Sequence, residues 1–240
     1  MSSTVLVIEN EEGAGPAQLE GAARGAGLPL DVRSVAGNDD IPDTLAGVAG
    51  LVVLGGTYDV RDAPRWPHLY RVMDLIREGA AEDKPVLGVC LGGQLAAEAL
   101  GGRVERAPEG TEIGWVPVRA TNEGLLDPVA SVAAGGLSLF QWHHDVFDPP
   151  PGAARVLTAD RSPNQGFRMG SVWGVQSHPE VDAELLREWC ESPGGSADLQ
   201  AEGVRAEDLL QGANRLAARA RALLDAWCRV VAERLAAVGR

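Results

Sequence analysis

The feature that most constrains this chain is a rhythm of apolar runs too short for helices, each followed by a stretch with helical spacing. "TVLVIEN" (4–10), "LPLDVRSV" (28–35), "GLVVLGG" (50–56) and "PVLGV" (85–89) read as strands. The first, a β-branched run that ends in polar residues, has the look of a buried strand, and the third stops on two glycines. Between them, residues 16–25 can form a helix, and residues 66–81 carry Leu69, Val72, Met73, Ile76 and Ala80 on one helical stripe. Residues 92–100 follow the fourth strand as a further helix. This alternation predicts an α/β fold with a doubly wound, mostly parallel sheet covered by helices on both faces.

The pattern changes after Arg103. "EIGWVPVRAT", "LSLFQWHHD", "ARVLTAD" and "SVWGVQSH" are β-like runs with few helices between them, which predicts an antiparallel extension of the same sheet. From Val181 the chain is helical again. Residues 192–203, "SPGGSADLQAEG", read as a Gly/Ser-rich linker. Beyond it Leu209, Ala213, Leu216, Ala220, Leu223, Trp227 and Val231 repeat at helical intervals, giving one C-terminal helix over 204–240 packed on the main domain of residues 1–191.

Composition excludes several partners. A formal net charge of −13 argues against a nucleic-acid partner, which basic patches would recognise. No apolar run approaches the roughly 20 residues that cross a bilayer, and "MSSTVLVIEN" lacks the basic start of a secretory signal. The three cysteines, Cys90, Cys190 and Cys228, have neither disulfide-framework nor zinc spacing. A cytoplasmic location is the expectation.

One cysteine stands apart. In "KPVLGVCLGGQLAAEALGG" (84–102), Cys90 sits between a strand and a helix with Gly88 and Gly92 two residues away on either side. A nucleophile raised on a sharp strand–turn–helix elbow needs small flanking residues, because the turn is crowded. The start of the helix also favours a thiolate. Taken alone, the pattern fits a buried structural cysteine equally well.

Two further stretches complete a chemistry. "GVQSHPE" (174–180) places His178 and Glu180 at a strand end, the parts of a general base and its orienter. With Cys90 they form a Cys–His–Glu set, and such triads are recognised by geometry whatever their order in the chain. "LGGT" (54–57) puts Gly55 and Gly56 at the end of the third strand, where backbone N–H groups can turn toward a neighbouring site.

These stretches together resemble the class I, triad-type glutamine amidotransferases, especially free-standing domains similar to the amidotransferase half of GMP synthetase. "VVLGGTYDV", "KPVLGVCLGGQLAAEALGG", "EIGWVPV", "FQWHHDVFDPPPGA" and "VWGVQSHPEV" occur in the family's order over about residues 4–190. The resemblance implies a flavodoxin-like fold, with Cys90 as nucleophile, His178 as base and Glu180 as its orienter. It implies oxyanion donors at the backbone N–H groups of Gly56 and Leu91, and substrate contacts at Gly55, Gln94, Trp142 and His143. The substrate would be glutamine or a γ-glutamyl compound, with no cofactor or metal. The released ammonia would pass to a separate synthetase, since the chain has no Gly-x-x-x-x-Gly-Lys-Ser/Thr loop of its own. The alternatives are a stand-alone γ-glutamyl hydrolase or peptidase, and a non-catalytic binding or regulatory module. Ser177 departs from the family, which carries Phe between the Gln and the His.

The pair His143–His144 with Asp145 invites a metal site, but adjacent strand residues point to opposite faces, so none is expected. His68 reads as a surface residue at a helix start, and Cys190 and Cys228 as packing residues.

Overall fold

The computed structural model describes residues 4–37 and 39–238. In chain order its elements are β1 (Val5–Glu9), α1 (Gln18–Gly25), β2 (Leu30–Ser34), β3 (Gly50–Val53), α2 (His68–Ala81), β4 (Val86–Val89), α3 (Leu91–Ala99), β5 (Arg103–Arg106) and β6 (Glu112–Ala120). They continue with α4 (Asn122–Leu125), β7 (Leu137–His143), β8 (Asp145–Asp148), β9 (Ala154–Thr158), β10 (Gly166–Met169) and β11 (Val172–Val175). Four helices close the chain: α5 (Ala183–Glu191), α6 (Pro193–Glu202), α7 (Ala206–Ala220) and α8 (Ala222–Val238).

Among the described residues, nine strands form one sheet in the order β2-β1-β3-β4-β11-β10-β9-β6-β7. The first five are parallel neighbours, and the pairings from β11 outward to β7 are antiparallel. The mostly parallel sheet with an antiparallel extension is therefore the architecture present. β5 and β8 pair separately as a small antiparallel ribbon.

Strand alternation divides the core. Val5, Val7, Val52, Leu87, Val89, Trp173 and Val175 face one side, against α1 and α8. Leu6, Ile8, Leu51, Val53, Val86 and Val172 face the other, where α2 and α3 cover them. With both faces covered, the central strands can be apolar throughout, which is why they read as continuous runs. A third cluster, including Phe140, Leu186, Leu199 and Leu209, joins β7 to α5, α6 and α7.

Two boundaries differ from the sequence reading. Residues 192–203 form a helix instead of a linker. Ser192 is its N-cap, accepting from the Gly195 N–H at 3.0 Å, Pro193 occupies its first turn, and Gly203 ends it in the left-handed region at φ 64°. The Gly, Pro and Ser that suggested a linker are thus helix punctuation. The expected single helix over 204–240 is two helices meeting at Arg221. α7 packs on β7 and α5 while α8 packs on α1, and the break lets one chain cover both surfaces.

Cys190 and Cys228 are buried free thiols, with Cys228 pushed up to about 12 by burial. His68 is half-buried, not a plain surface residue. Its ring packs on Tyr58 and Trp66, and burial lowers its pKa.

Candidate active site

The site is built at the carboxyl ends of the central parallel strands. β4 ends at Val89 and α3 begins at Leu91, so Cys90 alone makes the turn, at φ 51° and ψ −108°. A side chain at positive φ is strained and persists only where its surroundings enforce it. Here the enforcement is backbone crowding. A Cβ on Gly88 would lie 2.3 Å from the Gly92 oxygen, and a Cβ on Gly92 would lie 2.0 Å from the Val53 oxygen. Gly93 packs as closely, its added Cβ 2.6 Å from the Val175 oxygen. The turn is pinned at both ends, by Cys90 N–H to Val175 O at 2.8 Å and Gln94 N–H to Cys90 O at 2.9 Å. As the first residue of α3, Leu91 has a backbone N–H with no intrahelical carbonyl to meet.

His178 arrives from the neighbouring strand. β11 lies beside β4 and ends at Val175. The chain then crosses to β7, where His178 N–H donates to Phe140 O at 2.8 Å. Nδ1 of His178 lies 2.7 Å from Oε1 of Glu180, with both side chains buried. A carboxylate only accepts, so Nδ1 carries the proton and Nε2 is left for the thiol. The imidazole and the Cys90 sulfur are near enough to interact electrostatically, and both line the same crevice. Burial alone would lower the pKa of His178, but the Glu180 carboxylate and the Cys90 sulfur outweigh it and push it up to about 10.

Gly55 lies directly over this pair. A Cβ there would be 3.0 Å from Cε1 of His178 and 3.7 Å from Cβ of Cys90. The sulfur has two more polar neighbours: the Trp142 carbonyl at 3.9 Å and Nε2 of Gln176 at 3.8 Å. The amide of Gln176 can donate to a thiolate, whereas the Trp142 carbonyl can accept only from the thiol.

A crevice of about 630 Å³ opens above the sulfur, and Cys90, His178, Gly56, Gln94, Trp142 and His143 all line it. Glu180, Leu91 and Gly55 are buried behind that surface. Gln94 is held by a bond from Nε2 to the Asp145 carbonyl at 3.0 Å. The two adjacent histidines diverge. His143 pairs with Glu112 at 3.1 Å, whereas His144 lies 3.0 Å from both Thr111 Oγ1 and Asp198 Oδ2.

Several lining residues escaped the sequence reading. Asp198 of α6 accepts from both Trp142 Nε1 and His144 Nε2, each at 3.0 Å, and so closes one wall. Trp189 of α5 packs its ring against His178. The described lining is acidic at the lip, where Glu11, Glu12, Asp59 and Glu188 join the sequence-noted Asp145, and it includes Arg106. Burial and the nearby Asp59 raise the Asp145 pKa despite an ion pair with Arg61 at 2.9 Å. Only the capping pattern around α6 carried a sequence signal for this wall, since Ser-Pro at 192–193 is also a helix start.

Comparison with known proteins finds relatives over most of the chain. The family model described as glutamine amidotransferase class-I matches residues 18–188. A glutamine amidotransferase-like protein, YfeJ, of Salmonella typhimurium is 34% identical over 113 residues, 47% of each chain. A GMP synthase (glutamine-hydrolyzing) of Thermus thermophilus is 34% identical over 185 residues, 72% of this chain and 34% of the synthase. The chain thus spans less than half the length of these two curated relatives. The crystal structure of a glutamine amidotransferase from Thermotoga maritima, 30% identical, superposes with a TM-score of 0.87 over 96% of this chain and 98% of that one.

Proposed function

We propose, since this chain belongs to the class-I glutamine amidotransferase family, that it hydrolyses the γ-amide of glutamine through a γ-glutamyl thioester at Cys90. The observation that carries this reading is the meeting of Cys90 and His178 at the floor of one crevice, on either side of Gly55, with Glu180 bonded to the imidazole at 2.7 Å. His178 takes the thiol proton through Nε2, and its raised proton affinity favours that transfer. The sulfur attacks the γ-carbonyl, and its oxygen becomes an oxyanion between the N–H groups of Gly56 and Leu91. Such a donor contributes roughly 3–4 kcal/mol in comparable sites.

Collapse of the tetrahedral species breaks the C–N bond, and the imidazolium gives its proton to the departing amide nitrogen, releasing ammonia. Water then gives a proton back to His178 and attacks the thioester. The products are glutamate and the free thiol. Glu180 keeps Nδ1 protonated and the ring oriented throughout. Gln94, Trp142 and His143 contribute the walls that hold the glutamyl group, and no cofactor enters any step. The ammonia passes to a separate acceptor enzyme docked over the crevice.

A second reading, hydrolysis of larger γ-glutamyl amides, is favoured by the size of the crevice. Its 630 Å³ falls in the range of about 300–1,000 Å³ that encloses drug-sized ligands, more than a free amino acid fills. The test is release of ammonia from glutamine, and of amine from γ-glutamyl amides, by wild type and Cys90→Ala. Turnover that disappears in the variant supports the amidohydrolase reading, and the preferred leaving group decides between glutamine and larger amides. Wild type inert on every γ-glutamyl compound, alone and with candidate synthetases, overturns it.

A further inference from the structure

We infer that Asn10 and Glu11, the two residues that follow β1, are positioning residues that clamp the loop 54–57 so that the Gly56 N–H stays aimed at the carbonyl under attack. The inference rests on the amidohydrolase reading above. It starts from a conflict in the loop itself. Gly55 is closely covered, because an added Cβ would lie 3.0 Å from His178 Cε1 and so crowd the imidazole. Gly56 is nearly as confined, its added Cβ 3.2 Å from Leu91 Cδ2, 3.4 Å from Asn10 Cβ and 3.6 Å from Glu11 Oε2. Gly55 lies over the reacting groups and Gly56 beside it lines the crevice, yet glycine has more backbone freedom than any other residue. An oxyanion donor works only if it is fixed before the charge develops.

Two side chains supply the fixation, one on each side of the glycine pair. Asn10 Nδ2 donates to the Leu54 carbonyl at 2.8 Å. The Thr57 N–H donates to Glu11 Oε2 at 2.6 Å. Both come from one dipeptide at the end of β1, the strand beside β3. In this sheet order the strand order reverses between β1 and β3, the switch point where open α/β sheets place their ligands. Asn10 is fully buried and its Oδ1 has no partner. A half-satisfied amide is costly in a core, so packing alone would prefer an apolar residue. The bond to Leu54 is what asparagine adds there.

The test measures γ-glutamyl hydrolysis and, in parallel, alkylation of Cys90 by iodoacetamide, which displaces iodide without forming an oxyanion. Asn10→Asp keeps the shape but loses the donor, and Glu11→Ala removes the other anchor. Each should lower kcat at least about 10-fold, part of the roughly 10²–10³-fold lost when an oxyanion donor is deleted. KM should stay within about 3-fold and the alkylation rate within about 2-fold. Glu11→Gln retains an acceptor oxygen without the charge and should keep wild-type kcat. Unchanged kcat in Glu11→Ala, or kcat and alkylation falling together, overturns the clamp. So does Glu11→Gln being as impaired as Glu11→Ala. If Asn10→Asp fails to fold by thermal unfolding, the half-buried Glu11 pair of variants decides. A wild type that alkylates at Cys90 but hydrolyses no γ-glutamyl compound removes the functional reading and the clamp with it. An active wild type with unmoved variants removes only the clamp.

Discussion

The indole of Trp189 meets the imidazole of His178 edge to face, with ring centroids 4.9 Å apart at 75°. Phe140 approaches the same imidazole from β7 at 6.4 Å. Two aromatic rings remote in sequence thus pack on the base, and Glu180 fixes its third side. Trp189 is itself anchored by Nε1 donating to Gly13 O at 2.6 Å. Trp189→Ala should leave the His178–Glu180 bond in place but let the ring tilt. A small misplacement of a reacting group is costly, so kcat should fall about 10-fold while Trp189→Phe loses much less. Steady-state kinetics on the two variants checks this.

Ser177 is fully buried, and its hydroxyl has no partner. An unsatisfied buried hydroxyl is a cost that alanine removes at nearly constant volume. Ser177→Ala should therefore be neutral or stabilising by up to about 1 kcal/mol, with activity unchanged. A urea melt that shows clear destabilisation would mean the hydroxyl does bond in solution.

The His178 pKa is raised in the folded protein from 6.5 to about 10. The stability that its proton contributes is complete below about pH 6.5 and is lost as the pH rises through about 10. The denaturation midpoint of wild type should fall between neutral pH and pH 10. Glu180→Gln removes the main partner that raises the pKa, so its midpoint should vary less over the same window. Equal slopes for the two proteins would contradict the assignment.

Gly92 has the Val53 carbonyl 2.0 Å from the position of an added Cβ, and the obstacle is backbone. Gly92→Ala should cost more than about 3 kcal/mol, beyond ordinary overpacking, because β3 or the elbow must move. Gly25, with open space around it at the end of α1, is the control. Gly25→Ala should be neutral or stabilising by about 0.5 kcal/mol. Thermal unfolding of both variants compares the two sites directly.

Asp198 ties α6 to Trp142 and His144 through one carboxylate oxygen. Its removal loosens the crevice wall without touching Cys90 or His178. Asp198→Ala should raise KM about 5-fold and leave kcat within about 2-fold, the signature of lost uniform binding. A kcat loss with constant KM would instead place Asp198 in the chemical steps.

Sequence alone determined the parts whose cause is local. The parallel strands were legible because burial on both faces demands continuous apolar runs. Cys90 stood out because its turn tolerates only Gly88 and Gly92 beside it, and His178 and Glu180 lie two residues apart on one segment. Tertiary structure decided what depends on neighbours distant in the chain. It brought Cys90 and His178, 88 positions later, to the same crevice by placing β11 beside β4. It also made the Gly/Ser stretch at 192–203 a helix, because Ser192 and Gly203 serve as its caps while Leu199 and Asp198 find partners on α5, α7 and β7. Asn10 and Glu11 carry no pattern of their own. Their role emerges only when β1 and β3 pair and bring one dipeptide against both ends of a glycine loop.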